Sequence, residues 1–378
     1  MTPSPPQPPA TQTSDNDLAT QAQPGHGVPS QDPNAGAQTP LDPTDAEREA
    51  NSVLVGGGVM AGATTGAVVG VAVAGPMGVL VGASLGAVAG ALGGAAAGAA
   101  ASAEEAAPLS AGVVRLHIED SGGDGRPVLL IHGWPLSAMA WEQQVDVLQD
   151  AGYRVVSYDR RGFGRSDKPE SGYSYDELAD DLQRVLDQCQ LQDVTLVGFS
   201  MGGGEVARYV ARYGESLLHS VVFAAAVPPF LMQSVDNPEG PLTADAAQQS
   251  RRALELDREA FFDQFTEDFY SANGVLQVTE SQRLEAVALC QQSAQPAALA
   301  CMDAFGTTDF REDLKRLTVP TLVIHGDADA IVPIEGSGLR THHAVRHSQL
   351  VTLKGAPHGL NVSHAQAFND ALLAFLRT

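Results

Sequence analysis

Basic side chains are scarce in this chain. It carries 22 Lys and Arg against 45 Asp and Glu over 378 residues, a formal net charge of −23. So acidic a surface repels phosphate at long range, which excludes a nucleic-acid-binding role. Cysteine is scarcer still. Cys189, Cys290 and Cys301 make an odd set with no C-x-x-C or Cys/His ligand spacing, which argues against a disulfide framework or a thiolate metal site and points to reduced thiols in an intracellular protein. The opening residues lack both basic side chains and an apolar core. No secretory signal peptide is therefore expected, and the protein is read as cytoplasmic or membrane-associated.

What is present divides into three zones. Residues 1–50 are rich in Pro, Gln, Thr and Ala, with Arg48 alone against seven acids; such a leader cannot bury enough apolar surface to fold and is expected to be disordered. Residues 51–103 contain no charged side chain. Glycine recurs every fourth residue, at Gly58, Gly62, Gly66 and Gly70, and again from Gly78 to Gly98, with Gly75 and Pro76 as a turn between the arms. That spacing suits close helix crossing of the G-x-x-x-G kind, and as helices the arms would span about 25 and 30 Å, near a bilayer's hydrocarbon thickness. The segment resembles the glycine zippers of bacterial membrane-associated proteins, so a helical hairpin is expected here, in a membrane or in self-association. A soluble hairpin or plain linker is the alternative, since glycine costs about 1 kcal/mol against alanine inside a helix.

From residue 108 to 378 short apolar runs alternate with amphipathic stretches, the pattern of a parallel sheet covered by helices. Strands are expected near Val113–Ile118 and at Val128–Ile131, Tyr153–Tyr158, Val194–Val197, Ser220–Phe223, Thr321–Ile324 and Gln349–Leu353. Between about 228 and 310 the strand pattern lapses into a helical region carrying Phe230, Phe261, Phe262, Phe265, Phe269 and Tyr270, read as a helical cap over the sheet's carboxyl edge.

Three motifs in this zone carry chemistry. Thr195–Gly203 is an apolar strand, then G-x-S-x-G centred on Ser200, then a helix that begins with small residues. A strand-to-helix turn this sharp needs glycine on both sides of the serine so that neighbouring backbone passes without a clash. A serine hydroxyl needs a base to take its proton, and a histidine base needs an acid to fix its tautomer. His358, in the Lys354–Gly359 loop after the last strand, is the candidate base. Asp329 is the candidate acid, while Asp327, just after Gly326, reads as a turn former bonding local amides. Two backbone amides must also face the developing oxyanion; these are assigned to Met201 and to Trp134, whose indole would wall the acyl pocket. His132 and the Asp159–Ser166 loop read as structural.

HGWPLS, YDRRGFGRSDKP, GFSMGGGEVARYV, HGDADAIVP and GAPHG, in this order from His132 to Gly359, resemble the cofactor-free haloperoxidase and aryl esterase family of α/β-hydrolases. The resemblance implies the α/β-hydrolase fold and a Ser200–His358–Asp329 triad without metal or organic cofactor. It also implies hydrolysis of small acyl esters and perhydrolysis of carboxylic acids by hydrogen peroxide. It puts the acid on Asp329 and the oxyanion amides on Trp134 and Met201, with Pro135 as in the perhydrolase-leaning members. A small ester or carboxylic acid is the expected partner, and a homo-oligomer the expected assembly. Serine at the elbow disfavours dehalogenases and epoxide hydrolases, which need aspartate there. Two alternatives stay open: a lactonase or carbon–carbon bond hydrolase on the same fold, and an assembly or membrane-inserting protein whose glycine-rich hairpin is the main functional element.

Overall fold

The computed structural model describes residues 114–378. The expected leader at 1–50 and the glycine-rich hairpin at 51–103 lie outside the described residues. Among the described residues no helix is long and apolar enough to cross a membrane.

In chain order the elements are β1 (Ile118–Asp120), β2 (Pro127–Ile131), α1 (Glu142–Asp150), β3 (Arg154–Tyr158), α2 (Tyr175–Gln188), β4 (Val194–Phe199), α3 (Met201–Tyr213) and β5 (Leu218–Ala224). After these come α4 (Ala244–Leu256), α5 (Arg258–Tyr270), β6 (Ser271–Ala272), β7 (Val275–Leu276), α6 (Glu280–Gln291) and α7 (Gln295–Thr307). The chain closes with β8 (Thr321–Gly326), α8 (Gly338–Ala344), β9 (Gln349–Leu353) and α9 (Ala365–Leu376). Seven strands form one sheet in the order β1-β3-β2-β4-β5-β8-β9. Only the β1–β3 pairing is antiparallel.

The central strands are continuous apolar runs because helices cover both faces. In β4 and β8 every residue is buried. Helix starts follow local chemistry. Ser174 and Glu177 form a reciprocal capping box at α2, and Asp176 and Glu177 place negative charge in its first turn, where unpaired amides and the helix dipole favour it. Since β2, β3, β4, β5, β8 and β9 all run parallel, the loops after them emerge on one edge, where open α/β sheets form their sites.

Two expectations need correction. The first strand, expected near Val113–Ile118, begins among the described residues only at Ile118. The backbone just before it bonds to a loop about fifty residues away instead, with Arg115 N donating to Asp167 Oδ2 and His117 N to Ser166 Oγ. The stretch expected to be helical, 228–310, contains the small hairpin β6–β7. Its turn is Asn273–Gly274, both at positive φ (53° and 76°), the pair that a tight two-residue hairpin requires.

Candidate active site

The elbow is built by steric necessity. A Cβ on Gly198 would lie 2.6 Å from the Gly202 carbonyl oxygen, and one on Gly202 would lie 2.6 Å from that of Ile131. Between them Ser200 is held at φ 53°, ψ −118°, a conformation that a residue with a Cβ rarely adopts. The turn aims the hydroxyl away from the sheet, and the N-terminus of α3 begins at the next residue.

Ser200 Oγ donates to His358 Nε2 at 2.9 Å, and His358 Nδ1 donates to Asp329 Oδ2 at 2.7 Å. The three residues come from the loops after β4, β9 and β8, and all are buried. The imidazole is clamped between rings, with Phe199 at 5.3 Å and Phe269 edge-on at 5.0 Å, leaving it little freedom to turn away.

Asp329 is anchored from several sides. Its Oδ1 accepts from the amides of Ile331 (3.0 Å) and Val332 (2.8 Å), and its Oδ2 also lies 3.2 Å from His325 Nε2. Burial by itself would raise the carboxyl's pKa. The charge of His358, with hydrogen bonds from His325 and His358, outweighs burial and holds it well below the usual carboxylate range. Asp327 is exposed, and its carboxylate accepts from Gly355 N at 2.5 Å, joining two loops at a distance from Ser200.

The oxyanion candidates flank the serine. Neither Trp134 N nor Met201 N donates to a protein group among the described residues, so both amides remain free for a substrate oxygen. The Trp134 indole is locked by Nε1 donating to Ala298 O at 3.0 Å. It packs edge-on against Phe261, Phe262, Phe265 and Phe305 at 5.2–6.2 Å, and lines a cavity of about 240 Å³ with Ser200 and His358.

His132 and the Asp159–Ser166 loop form the support beneath. His132 is fully buried; its Nδ1 donates to Gly133 O and its Nε2 accepts from Arg160 N, so neither nitrogen is left for a proton from substrate. Burial first, and Arg160's charge second, push its pKa down to about 3. Arg160 pairs with Glu205 on α3 and also donates to His132 O, tying the oxyanion loop to the helix behind the serine. Burial raises the Asp159 carboxyl, but backbone bonds from Arg165 and Ala138 more than offset it. Sequence reasoning assigned no role to His325, Glu205 or the wall residues Phe305 and Val227. His325 alone had a signal, as the histidine at the end of a strand opening the acid loop.

A buried serine, histidine and carboxylate in series beside two free amides is an arrangement able to carry out acyl transfer, on a sheet whose parallel strands deliver all three. The chain belongs to the α/β-hydrolase family, whose model, described as alpha/beta hydrolase fold, matches residues 126–365, and within it to the haloperoxidase and esterase branch. It is 39% identical over 265 residues to a non-heme haloperoxidase of Rhodococcus erythropolis, covering 68% of this chain and 94% of that one. It is 37% identical over 271 residues to the bifunctional esterase/perhydrolase DCH of Acinetobacter calcoaceticus, covering 70% and 97%. Among solved structures, the bromoperoxidase from Bacillus anthracis matches with a TM-score of 0.69 and 50% identity, over 70% of this chain and 96% of that one. The protein is an enzyme of this family.

Proposed function

We propose that the protein is a serine esterase that cleaves small carboxylic esters through an acyl-enzyme, and that the same acyl-enzyme transfers its acyl group to hydrogen peroxide. The observation that carries the reading is the Ser200–His358–Asp329 chain of hydrogen bonds at 2.9 and 2.7 Å, with two uncommitted amides beside it. His358 takes the Ser200 proton as Oγ attacks the ester carbonyl, the oxyanion faces Trp134 N and Met201 N, and His358 returns the proton to the departing alcohol. Water or hydrogen peroxide then attacks the acyl-enzyme, giving up a proton to His358 and releasing acid or peracid. Relatives named as haloperoxidase and as esterase/perhydrolase support both outcomes.

The test is turnover of p-nitrophenyl acetate, with peracid formation from acetate and hydrogen peroxide assayed alongside, by wild type and Ser200→Ala. Both activities should vanish together in the variant. Peracid formation surviving Ser200→Ala would rule out a shared acyl-enzyme.

A further inference from the structure

The cavity over Ser200 has room for a short ester but not for one with an extended chain. At about 240 Å³ it falls below the roughly 300–1,000 Å³ of pockets that enclose most of a ligand. A second hollow of about 620 Å³ lies between α4 and α5. Phe265 and Ile331 line both spaces, and both side chains are half-buried. Phe265 sets its ring 5.2 Å from that of Trp134, while the amide of Ile331 is bonded to Asp329. The two spaces therefore adjoin at Phe265 and Ile331, one tied to the oxyanion side and the other to the acid side of the same site.

We propose that this groove seats the alcohol half of the ester, making the enzyme selective for esters of extended apolar alcohols that are neutral or cationic. The proposal rests on the esterase reading above. Three observations carry it. Ala253, Leu256, Ala260 and Phe261 give the groove an apolar stretch beside Gln249, Ser250 and Gln264, and Leu256 stands 86% exposed, an uncovered side chain whose surface a ligand would take out of water. The only ionisable residues lining the groove are Asp257 and Asp268, both acids, so an anionic group is repelled and an ammonium tolerated. Finally, the groove is open to solvent beyond Phe265 and Ile331. The acyl group stays bonded to Ser200 through the second step and belongs in the enclosed cavity. The alcohol leaves after the first step: the ester C–O bond breaks, the alkoxide oxygen takes the proton from His358, and the free alcohol needs a way out.

Two ester series separate the halves: acetates of methanol through octanol, and methyl esters of acetic through octanoic acid, each with wild type and Leu256→Asp. For wild type, kcat/KM should rise about twofold to fourfold per added methylene in the alcohol series and fall off early in the acyl series. In Leu256→Asp the ratio of octyl to methyl acetate should drop about tenfold, the worth of two to three methylenes. Asp268→Asn should improve turnover of 4-acetoxybenzoate relative to the uncharged phenyl acetate. An octyl-to-methyl ratio untouched by Leu256→Asp, or a change confined to the acyl series, overturns the proposal while leaving the esterase intact. Folded wild type that cleaves no ester in either series overturns the esterase reading itself, and this proposal with it.

Discussion

The one Nε2–H of His325 is shared between the Val332 carbonyl at 2.8 Å and Asp329 Oδ2 at 3.2 Å, and Val332 N in turn donates to Asp329 Oδ1 at 2.8 Å. The three residues close a ring around the candidate acid. His325 is fully buried and touches neither Ser200 nor His358 by hydrogen bond, so its place is that of a positioning residue.

Removing that donor should therefore act through His358. His325→Leu is expected to lower kcat for ester hydrolysis at least about tenfold, the scale of one hydrogen bond to a charged group, with KM little changed. It should also shift the low-field proton resonance of His358 Nδ1–H. Glutamine can place its amide near the position of Nε2, so His325→Gln should recover both. Wild-type kcat in the leucine variant would show that the two backbone amides hold Asp329 unaided.

The two aspartates of the acid loop should separate sharply. Asp329→Asn is expected to lower kcat about 10⁴-fold, the scale seen when a triad acid can no longer fix the histidine tautomer. Asp327→Asn, whose side chain is exposed and can still accept from Gly355 N, should change kcat by no more than about twofold. Steady-state kinetics on the two purified variants decides the matter, and the opposite order would move the acid to Asp327.

Acid sensitivity should trace in part to His132. Its folded pKa of about 3 lies below the roughly 6.5 of an unfolded histidine, so the unfolded chain takes up the proton first. The stability it contributes is complete above about pH 6.5 and is withdrawn as pH falls toward 3, at about 1.4 kcal/mol per unit. Urea unfolding at pH 7.5 and 5.0 should show wild type losing about 2 kcal/mol more than His132→Gln, whose side chain does not titrate. Equal losses would assign the acid response to other groups.

The parallel sheet was legible because each central strand is an apolar run of its own, and the Ser200 elbow because glycine on both sides of a serine after such a run has few other uses. The choice between Asp327 and Asp329 was harder. Both follow the same strand two residues apart, and only the three-dimensional course of the loop shows one against His358 and the other against Gly355. Arg160 with Glu205, and Arg161 with Asp181, join the loop after β3 to helices α3 and α2 at separations of 45 and 20 residues, which no spacing rule anticipates. The hairpin at Asn273–Gly274 did carry a local signal, overshadowed by the phenylalanine-rich helix before it. The backbone at Arg115–His117 bonds to loop atoms rather than to a strand, a distinction invisible in the alternating pattern of Val114–Ile118.

The backbone at Ser200 sets durability against turnover. A residue held at φ 53°, ψ −118° costs the folded state on the order of 1–3 kcal/mol, which a glycine at the same position would largely relieve. The most stable version of this chain and its most active version therefore differ at the residue where the chemistry is proposed to begin. Variants selected for heat resistance alone would be expected to drift toward losing the hydroxyl, whereas a lineage under pressure to turn over substrate has to find its extra stability elsewhere.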